Sequence, residues 1–190
     1  LTLWSASVPQ GLDMAAFSRG DYARALEQNT MAETISKVLY PADDHIEGKR
    51  LRLRQQYLLV SASLQSILKD HYKQYGTLAN LAEKVAVHIN DTHPALCVPE
   101  LMRLLLDQYE MGWDEAWQIT CRCLSYTNHT VMAEALEHWQ IDLFREQLPR
   151  VYGIVCEIDR RTRAKIQGVY PGDWAKIDYM APISRGEVRM

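Results

Sequence analysis

The sequence contains no long apolar run and no strong excess of charge of either sign. No stretch reaches the roughly 18 apolar residues that a membrane-spanning helix needs, so no such helix is expected. The opening Leu1-Thr2-Leu3-Trp4 lacks the basic start and apolar core of a signal peptide. With 21 basic and 24 acidic residues, the net charge of -3 argues against nucleic acid as the main partner. We therefore expect a reduced, cytosolic protein without a membrane partner.

Several motifs of known chemistry are also missing. The sequence has no Gly-rich phosphate loop, no nucleophile elbow and no compact metal motif such as HExxH. Its four cysteines show neither CxxC spacing nor a Cys–His framework, so we expect small buried apolar side chains. These cysteines are Cys97, Cys121, Cys123 and Cys156. The residues by themselves therefore show polar clusters without a complete catalytic set.

Both ends of the sequence are typical of a cut chain. There is no initiator methionine, the opening Leu1–Trp4 is strand-like, and a new strand begins near Gly186. We therefore expect residues 1–190 to form a single partial domain, internal to a longer protein.

Hydrophobic periodicity predicts a chain made mostly of helices. Asp21 can cap a helix that runs to about Leu39, and a longer helix is expected over residues 48–72. The short β-branched segment 85–89 is typical of a buried strand. Further helices are expected from Pro99, from Asp114 with Trp117, Cys121 and Leu124 facing inward, over residues 133–147 and 149–167, and after Asp173. A helix-rich α/β fold with a few buried strands follows.

Four polar segments interrupt this pattern. Residues 90–94 follow the predicted strand at its carboxyl end, where open α/β sheets bind ligands, although a turn with a helix start fits equally well. Residues 127–130 form a second polar island, in which His129 fits a structural or a working role. Glu134 and Glu137 are three apart, so one helix face could present both carboxylates to a ligand or to solvent. Residues 40–49 form a loop of the kind that acts as a lid or gate.

Several short segments also form a pattern when they are taken in chain order. They are Leu1–Ala6, Val38–Pro41, Glu47–Lys49, Leu51–Tyr57, Asn90–Pro94, Tyr126–Val131, Glu134–Trp139, Leu148–Arg150 and Pro171–Asp173. Together they resemble the glycogen and maltodextrin phosphorylase family over nearly the whole chain. The segments at 90–94 and 126–131 are highly specific to that family.

The resemblance implies a piece of the N-terminal, Rossmann-like domain of a two-domain glycosyltransferase fold of the B type. Such enzymes are glycosyltransferases that cleave α-1,4-glucans or maltodextrins with inorganic phosphate and release α-glucose 1-phosphate. Their pyridoxal phosphate is held as a Schiff base by a lysine of the C-terminal domain. That lysine motif is absent here, so the resemblance implies no cofactor-binding residue in this chain and an inactive isolated piece.

The resemblance also implies site residues. His129 would be catalytic, orienting the transferred glucosyl unit and helping to stabilise an oxocarbenium-like transition state. Asp91 and His93 would line the acceptor side of the pocket, and the loop nearby would supply Glu134 and Glu137. Asp44 occupies a gate-loop position where many relatives have asparagine, and an ionised carboxylate can only accept hydrogen bonds.

Two further implications concern assembly and regulation. The helix from Asp21 to Leu39 resembles the subunit-contact helix of the family, which implies a homodimer. Animal relatives carry an arginine pair that binds the phosphate of an activating nucleotide, and the matching positions here are Lys69 and Asp70. A carboxylate repels phosphate, so we expect no activation by AMP through this site. A rise in activity with AMP that phosphate competes away would contradict this expectation.

Two other functions fit the residues. Asp91, His93 and His129 could be metal ligands of a hydrolase, because Asp and His suit zinc or iron. The chain could also be a helical interaction module without a catalytic role.

Overall fold

The computed structural model describes residues 2–8, 12–130, 132 and 136–190. The chain divides into two compact units, residues 1–62 and 63–190, and the division falls within one long helix.

The first unit is built from helices, two of which begin at aspartate caps. They are α1 (Met14–Ser18), α2 (Tyr22–Lys37) and the first part of α3 (Ile46–Tyr75). The Asp13 side chain accepts hydrogen bonds from two backbone N–H groups of α1, and the Asp21 side chain accepts one from α2, which satisfies donors that a helix start leaves free. The predicted helix after Asp21 is therefore confirmed. The described residues 2–4 are not in a strand, so that expectation was wrong.

The second unit combines helices with two small sheets. After the end of α3 its elements are α4 (Leu81–Lys84), β1 (Val87–Asn90), α5 (Cys97–Asp107), α6 (Trp113–Cys123), β2 (Leu124–Thr127), β3 (His138–Gln140), α7 (Ile141–Gln147), α8 (Pro149–Val169), α9 (Trp174–Met180), β4 (Ile183–Ser184) and β5 (Glu187–Arg189). Strands β1 and β2 pair in parallel, and β5 lies between β3 and β4 in an antiparallel sheet. The helix-rich α/β fold is confirmed.

Helix α5 lies at the centre of the second unit's core. Its apolar side chains Leu101, Met102, Leu104 and Leu105 are at most 1% exposed, and α5 packs against α6 and α8. Glu100, on the same helix, is also fully buried. The strand–loop–helix unit of β1 and α5 thus places the polar residues 91–93 on a rigid support.

Two predictions about helices were wrong. Helix α6 buries Ala116, Ile119, Thr120 and Cys123, whereas Cys121, predicted to face inward with Trp117 and Leu124, is exposed. Trp117 and Leu124 are half-buried. Of the described residues within the helix predicted over 133–147, only those of α7 are helical, because residues 138–140 form β3 and pair with β5.

The cysteines differ in their surroundings. Burial raises the pKa of the Cys97 thiol to about 12 and that of Cys123 to about 11, so both are inert apolar side chains, as predicted. Cys156 is half-buried and Cys121 is exposed, which contradicts the prediction for Cys121. Among the described residues, no helix is long and apolar enough to cross a membrane.

Candidate functional site

The parallel pairing of β1 and β2 places two polar segments at one sheet edge. Asn90 and Thr127, the last residues of the two strands, are directly paired. Parallel strands end at the same edge of a sheet. Residues 91–93, which follow β1, are therefore next to residues 128–129, which follow β2. We call Asn90, Asp91, Thr92, His93, Thr127, Asn128 and His129 the strand-end cluster. Ligand binding at this edge was one of two roles that the sequence left open for residues 90–94, and β2 overlaps the segment that interrupts the predicted helices near residue 127.

Asp91 turns the chain at the end of β1. Its backbone N–H donates to the Thr127 carbonyl at 2.8 Å, which extends the ladder by one bond, and its φ of +67° lies in the left-handed region that Asp tolerates better than most residues. Its Oδ1 accepts from the Thr92 backbone N–H at 2.7 Å, and Thr92 is only 2% exposed. One carboxylate oxygen of Asp91 therefore fixes the loop.

A buried carboxylate lies beside His93. Glu137 Oε2 is 3.6 Å from His93 Nδ1, and the Glu137 side chain is 8% exposed while that of His93 is 46% exposed. The carboxylate can orient the imidazole and would pair with its charged form. Glu137 is not helical, so the predicted helix face shared with Glu134 is not formed at that residue. Glu134 itself lies outside the described residues.

His129 is held on its ring and along its backbone by different residues. Its Nε2 forms a hydrogen bond with Asn90 Oδ1 across the two strands. The Asn128 side chain donates to the Thr130 carbonyl at 2.6 Å and accepts from the Thr130 N–H at 3.1 Å, closing a turn around His129. Sequence reasoning assigned no role to Asn90. Only its place at the predicted strand's end could have suggested one.

The gate-loop residue Asp44 belongs to the first unit. It is exposed on the segment between α2 and α3. The neighbouring Asp43 pairs with Arg52 of α3 at 2.7 Å, and the Gln55 side chain donates to the Val38 carbonyl at 2.7 Å. Both contacts tie this segment to α3.

Within the described part of the chain, no three His, Cys, Asp or Glu side chains are grouped closely enough to hold a metal ion. The hydrolase alternative, which needs Asp91, His93 and His129 around one ion, therefore has no geometric support.

Comparison with known proteins places the chain in a family. The sequence pattern of the carbohydrate phosphorylases matches residues 1–190. The chain belongs to the carbohydrate phosphorylase family. Its resemblance to glycogen and maltodextrin phosphorylases, predicted from short segments, is thereby confirmed.

Individual carbohydrate phosphorylases are similar over most of the chain. It is 54% identical over 158 residues, 83% of its length, to "Glycogen phosphorylase" of Bacillus subtilis, covering 20% of that protein. It is 47% identical over 186 residues, 98% of its length, to the Chlamydia trachomatis protein of that name, covering 23% of it. The rat "Glycogen phosphorylase, brain form" is 41% identical over 197 positions, spanning all of this chain and 24% of the rat protein. The chain thus spans about a fifth to a quarter of these relatives.

The lysines of this phosphorylase chain do not fit a pyridoxal phosphate site. A lysine that forms a Schiff base lies in a pocket around the cofactor. All seven lysines here are exposed on the described surface: Lys37, Lys49, Lys69, Lys73, Lys84, Lys165 and Lys176. No step of a reaction is therefore assigned to the cofactor through these residues.

Proposed function

We propose that this chain is part of the N-terminal domain of an α-glucan phosphorylase, both of its units belonging to that domain. The full-length enzyme would transfer the terminal glucosyl unit of an α-1,4-glucan or maltodextrin to inorganic phosphate, releasing α-glucose 1-phosphate in the cytoplasm. The observation that carries the proposal is the family match over residues 1–190. The names of the similar bacterial and rat proteins support it.

The strand-end cluster would form part of the glucosyl pocket. His129 would orient the transferred sugar and stabilise positive charge as the glycosidic bond breaks. Asp91 and His93 would contact the acceptor side, with Glu137 behind His93 and Glu134 nearby. Asp44, on the gate loop, would be a further substrate-binding residue of the enzyme. The contacts of Asn90 with His129 and of Glu137 with His93 support a polar site at this edge.

Pyridoxal phosphate would be supplied by the remainder of the enzyme, where its phosphate would serve proton transfer. The exposure of every lysine in this chain is in keeping with a cofactor site elsewhere. The isolated chain would then be inactive.

We expect His129→Ala to lower the rate of glucose 1-phosphate release by about 100-fold, because transition-state stabilisation by one polar group is worth roughly that factor. The assay uses the full-length enzyme with maltoheptaose and phosphate, and the absorption spectrum of pyridoxal phosphate reports cofactor content. His138→Ala is the matched control, since His138, the first residue of β3, is also exposed and its ring also makes a hydrogen bond, with the Leu136 carbonyl. Full activity of the His129→Ala variant would refute the role of His129. No release by the unaltered enzyme would refute the function, and metal analysis would follow.

The enzyme would be a homodimer that meets its partner through α2. Ala25 is buried in this helix, whereas Tyr22 and Leu26, one helical turn apart, are 59% and 48% exposed. An apolar stripe left open to water fits a subunit contact. Sedimentation of the full-length enzyme should show a dimer that Leu26→Glu weakens. Val169→Glu, at a similarly exposed apolar position of α8, should leave it intact. Equal effects of the two changes would argue against α2.

A further inference from the structure

The contact between Asn90 and His129 joins two strands at the centre of the strand-end cluster. Asn90 ends β1, and its partner in the ladder, Thr127, precedes His129 by two residues. The backbone N–H of Asp91 donates to the Thr127 carbonyl at 2.8 Å, so the main chain is fixed immediately after Asn90. Asn90 thus contacts His129 from a strand end whose backbone is held by the pairing with Thr127 and by the hydrogen bond of Asp91.

Two other polar side chains close to His129 in the sequence, those of Asn128 and Thr127, already have partners. Both ends of the Asn128 amide are hydrogen-bonded to the backbone of Thr130. The Thr127 hydroxyl lies 2.5 Å from His88 Nε2, on the neighbouring strand. Asn128 therefore shapes the main chain around His129, while Asn90 contacts the ring.

The atoms of this contact determine where the imidazole proton lies. Oδ1 of an asparagine amide can only accept a hydrogen bond, so Nε2 of His129 must donate. In the neutral ring the other nitrogen, Nδ1, is then an acceptor. A hydroxyl group of a sugar can donate to such a nitrogen.

We infer that Asn90 is a positioning residue that selects the Nε2–H form of His129 and leaves Nδ1 to accept a hydrogen bond from a hydroxyl of the glucosyl unit. The inference rests on the proposed function, in which His129 binds that sugar. Without Asn90 the ring can rotate or carry its proton on Nδ1, which would then donate to the sugar hydroxyl and could no longer accept from it. Asn90 acts through His129 and need not touch the substrate.

The kinetic test is a double-mutant cycle in the full-length enzyme. Asn90→Leu, which keeps the side-chain size but lacks an acceptor, should lower kcat/KM about tenfold, the usual cost of one misplaced hydrogen bond. In an enzyme that already carries His129→Ala, the same change should have no further effect, because residues that act as a unit are not additive. Asn90→Asp keeps an acceptor oxygen and should stay closer to the unaltered enzyme than Asn90→Leu.

The matched control is Asn80→Leu, which removes the same kind of pair elsewhere. Asn80 Oδ1 lies 2.8 Å from Nε2 of the buried His71, at the junction of α3 and α4. This variant should change kcat/KM by less than about twofold per folded molecule, since a lost neutral hydrogen bond there affects stability. Folding of each variant is checked by circular dichroism.

The second readout is the tautomer itself. Nitrogen-15 spectra of the histidine-labelled full-length enzyme, with His129 assigned by its loss in a His129→Gln variant, should show the proton on Nε2 at mildly alkaline pH. Asn90→Leu should change that pattern and Asn90→Asp should keep it. A proton on Nδ1 of the unaltered enzyme would overturn the inference, and so would a tenfold loss from Asn90→Leu both with His129 present and in the His129→Ala enzyme. Absence of glucose 1-phosphate release by the unaltered enzyme would overturn the proposed function, and the tautomer would still decide the role of Asn90.

Discussion

Replacing Arg103 by methionine is expected to lower the free energy of unfolding of the chain by about 3–5 kcal/mol, because it removes the guanidinium from a carboxylate in the core. Glu100 is 0% exposed, and Arg103 donates to its two carboxylate oxygens at 2.7 and 2.8 Å. Methionine preserves most of the apolar stem, so the loss reports the charge and its hydrogen bonds. Urea unfolding followed by circular dichroism and tryptophan fluorescence measures it.

The control is Arg145→Met, which breaks a pair of the same spacing on α7. Arg145 lies 2.8 Å from Asp142, and the side chains are 62% and 90% exposed, so solvent screens the pair and we expect a loss below about 0.5 kcal/mol. A double change, Glu100→Leu with Arg103→Met, should recover much of the loss, because both charges of the pair are then removed. Similar losses in the free energy of unfolding for Arg103→Met and Arg145→Met would show that the burial of Glu100 does not increase the contribution of its ion pair to stability.

This pair connects the core to the strand-end cluster. Glu100 lies in the first turn of α5, three residues after Cys97, where the segment that contains Asp91 and His93 joins the helix. A shift of that turn would move the loop. We therefore expect Arg103→Met also to weaken substrate binding in the full-length enzyme, although Arg103 is not in the cluster.

The parts of the fold that were predictable have local causes. Asp21 and Asp173 each precede a helix and accept a hydrogen bond from its first turn, a signal contained in a few adjacent residues. The β-branched segment before Asn90 likewise indicated a strand and, at its end, a ligand-binding edge. Caps and periodicity depend on near neighbours, so one sequence suffices to recognise them.

The face of α6 could not be chosen from its sequence. Apolar residues lie on both sides of this helix, so the set with Trp117 and Cys121 fitted a helical stripe as well as the set with Ile119 and Cys123. The buried face includes Thr120, whose hydroxyl lies 3.3 Å from the sulfur of Met102 on α5. Packing against α5 determines which face of α6 is buried, and the residues of α5 are not part of the sequence of α6.

Strand β3 and the surroundings of Glu137 also depend on distant residues. His138 pairs with Arg189, and Trp139 with Val188, about fifty residues along the chain. Glutamate and leucine nearby favour a helix by propensity, and tertiary pairing overrides that preference. The same long-range packing places Glu137 beside His93. The sequence thus indicated candidate residues but not the contacts that they make.

Replacing Gly48 by alanine is expected to displace the gate loop and to lower the free energy of unfolding by about 1–3 kcal/mol, the usual cost of overpacking. A Cβ at this buried position would lie 1.6 Å from the Ala42 carbonyl oxygen, far inside contact distance, and the atom it meets is backbone. The Gly48 N–H also donates to His45 Nδ1 at 2.8 Å. Either the loop moves away or α3 begins later. Urea unfolding gives the energy, and hydrogen exchange at residues 42–45 reports the displacement.

Gly153→Ala separates this clash from the general effect of alanine in a helix. Gly153 lies inside α8, and a Cβ there would meet nothing within 4 Å, so alanine should raise stability by about 0.5–1 kcal/mol. The two changes are chemically identical and opposite in expected sign, so the difference measures how tightly the gate loop is held against α3. If the loop bears Asp44 to the sugar, Gly48→Ala should also raise KM for maltoheptaose in the full-length enzyme, while Gly153→Ala should not. An equal rise in the free energy of unfolding for both changes would mean that the loop moves away from the new Cβ without loss of stability. The contact with Ala42 would then not fix the position of the loop.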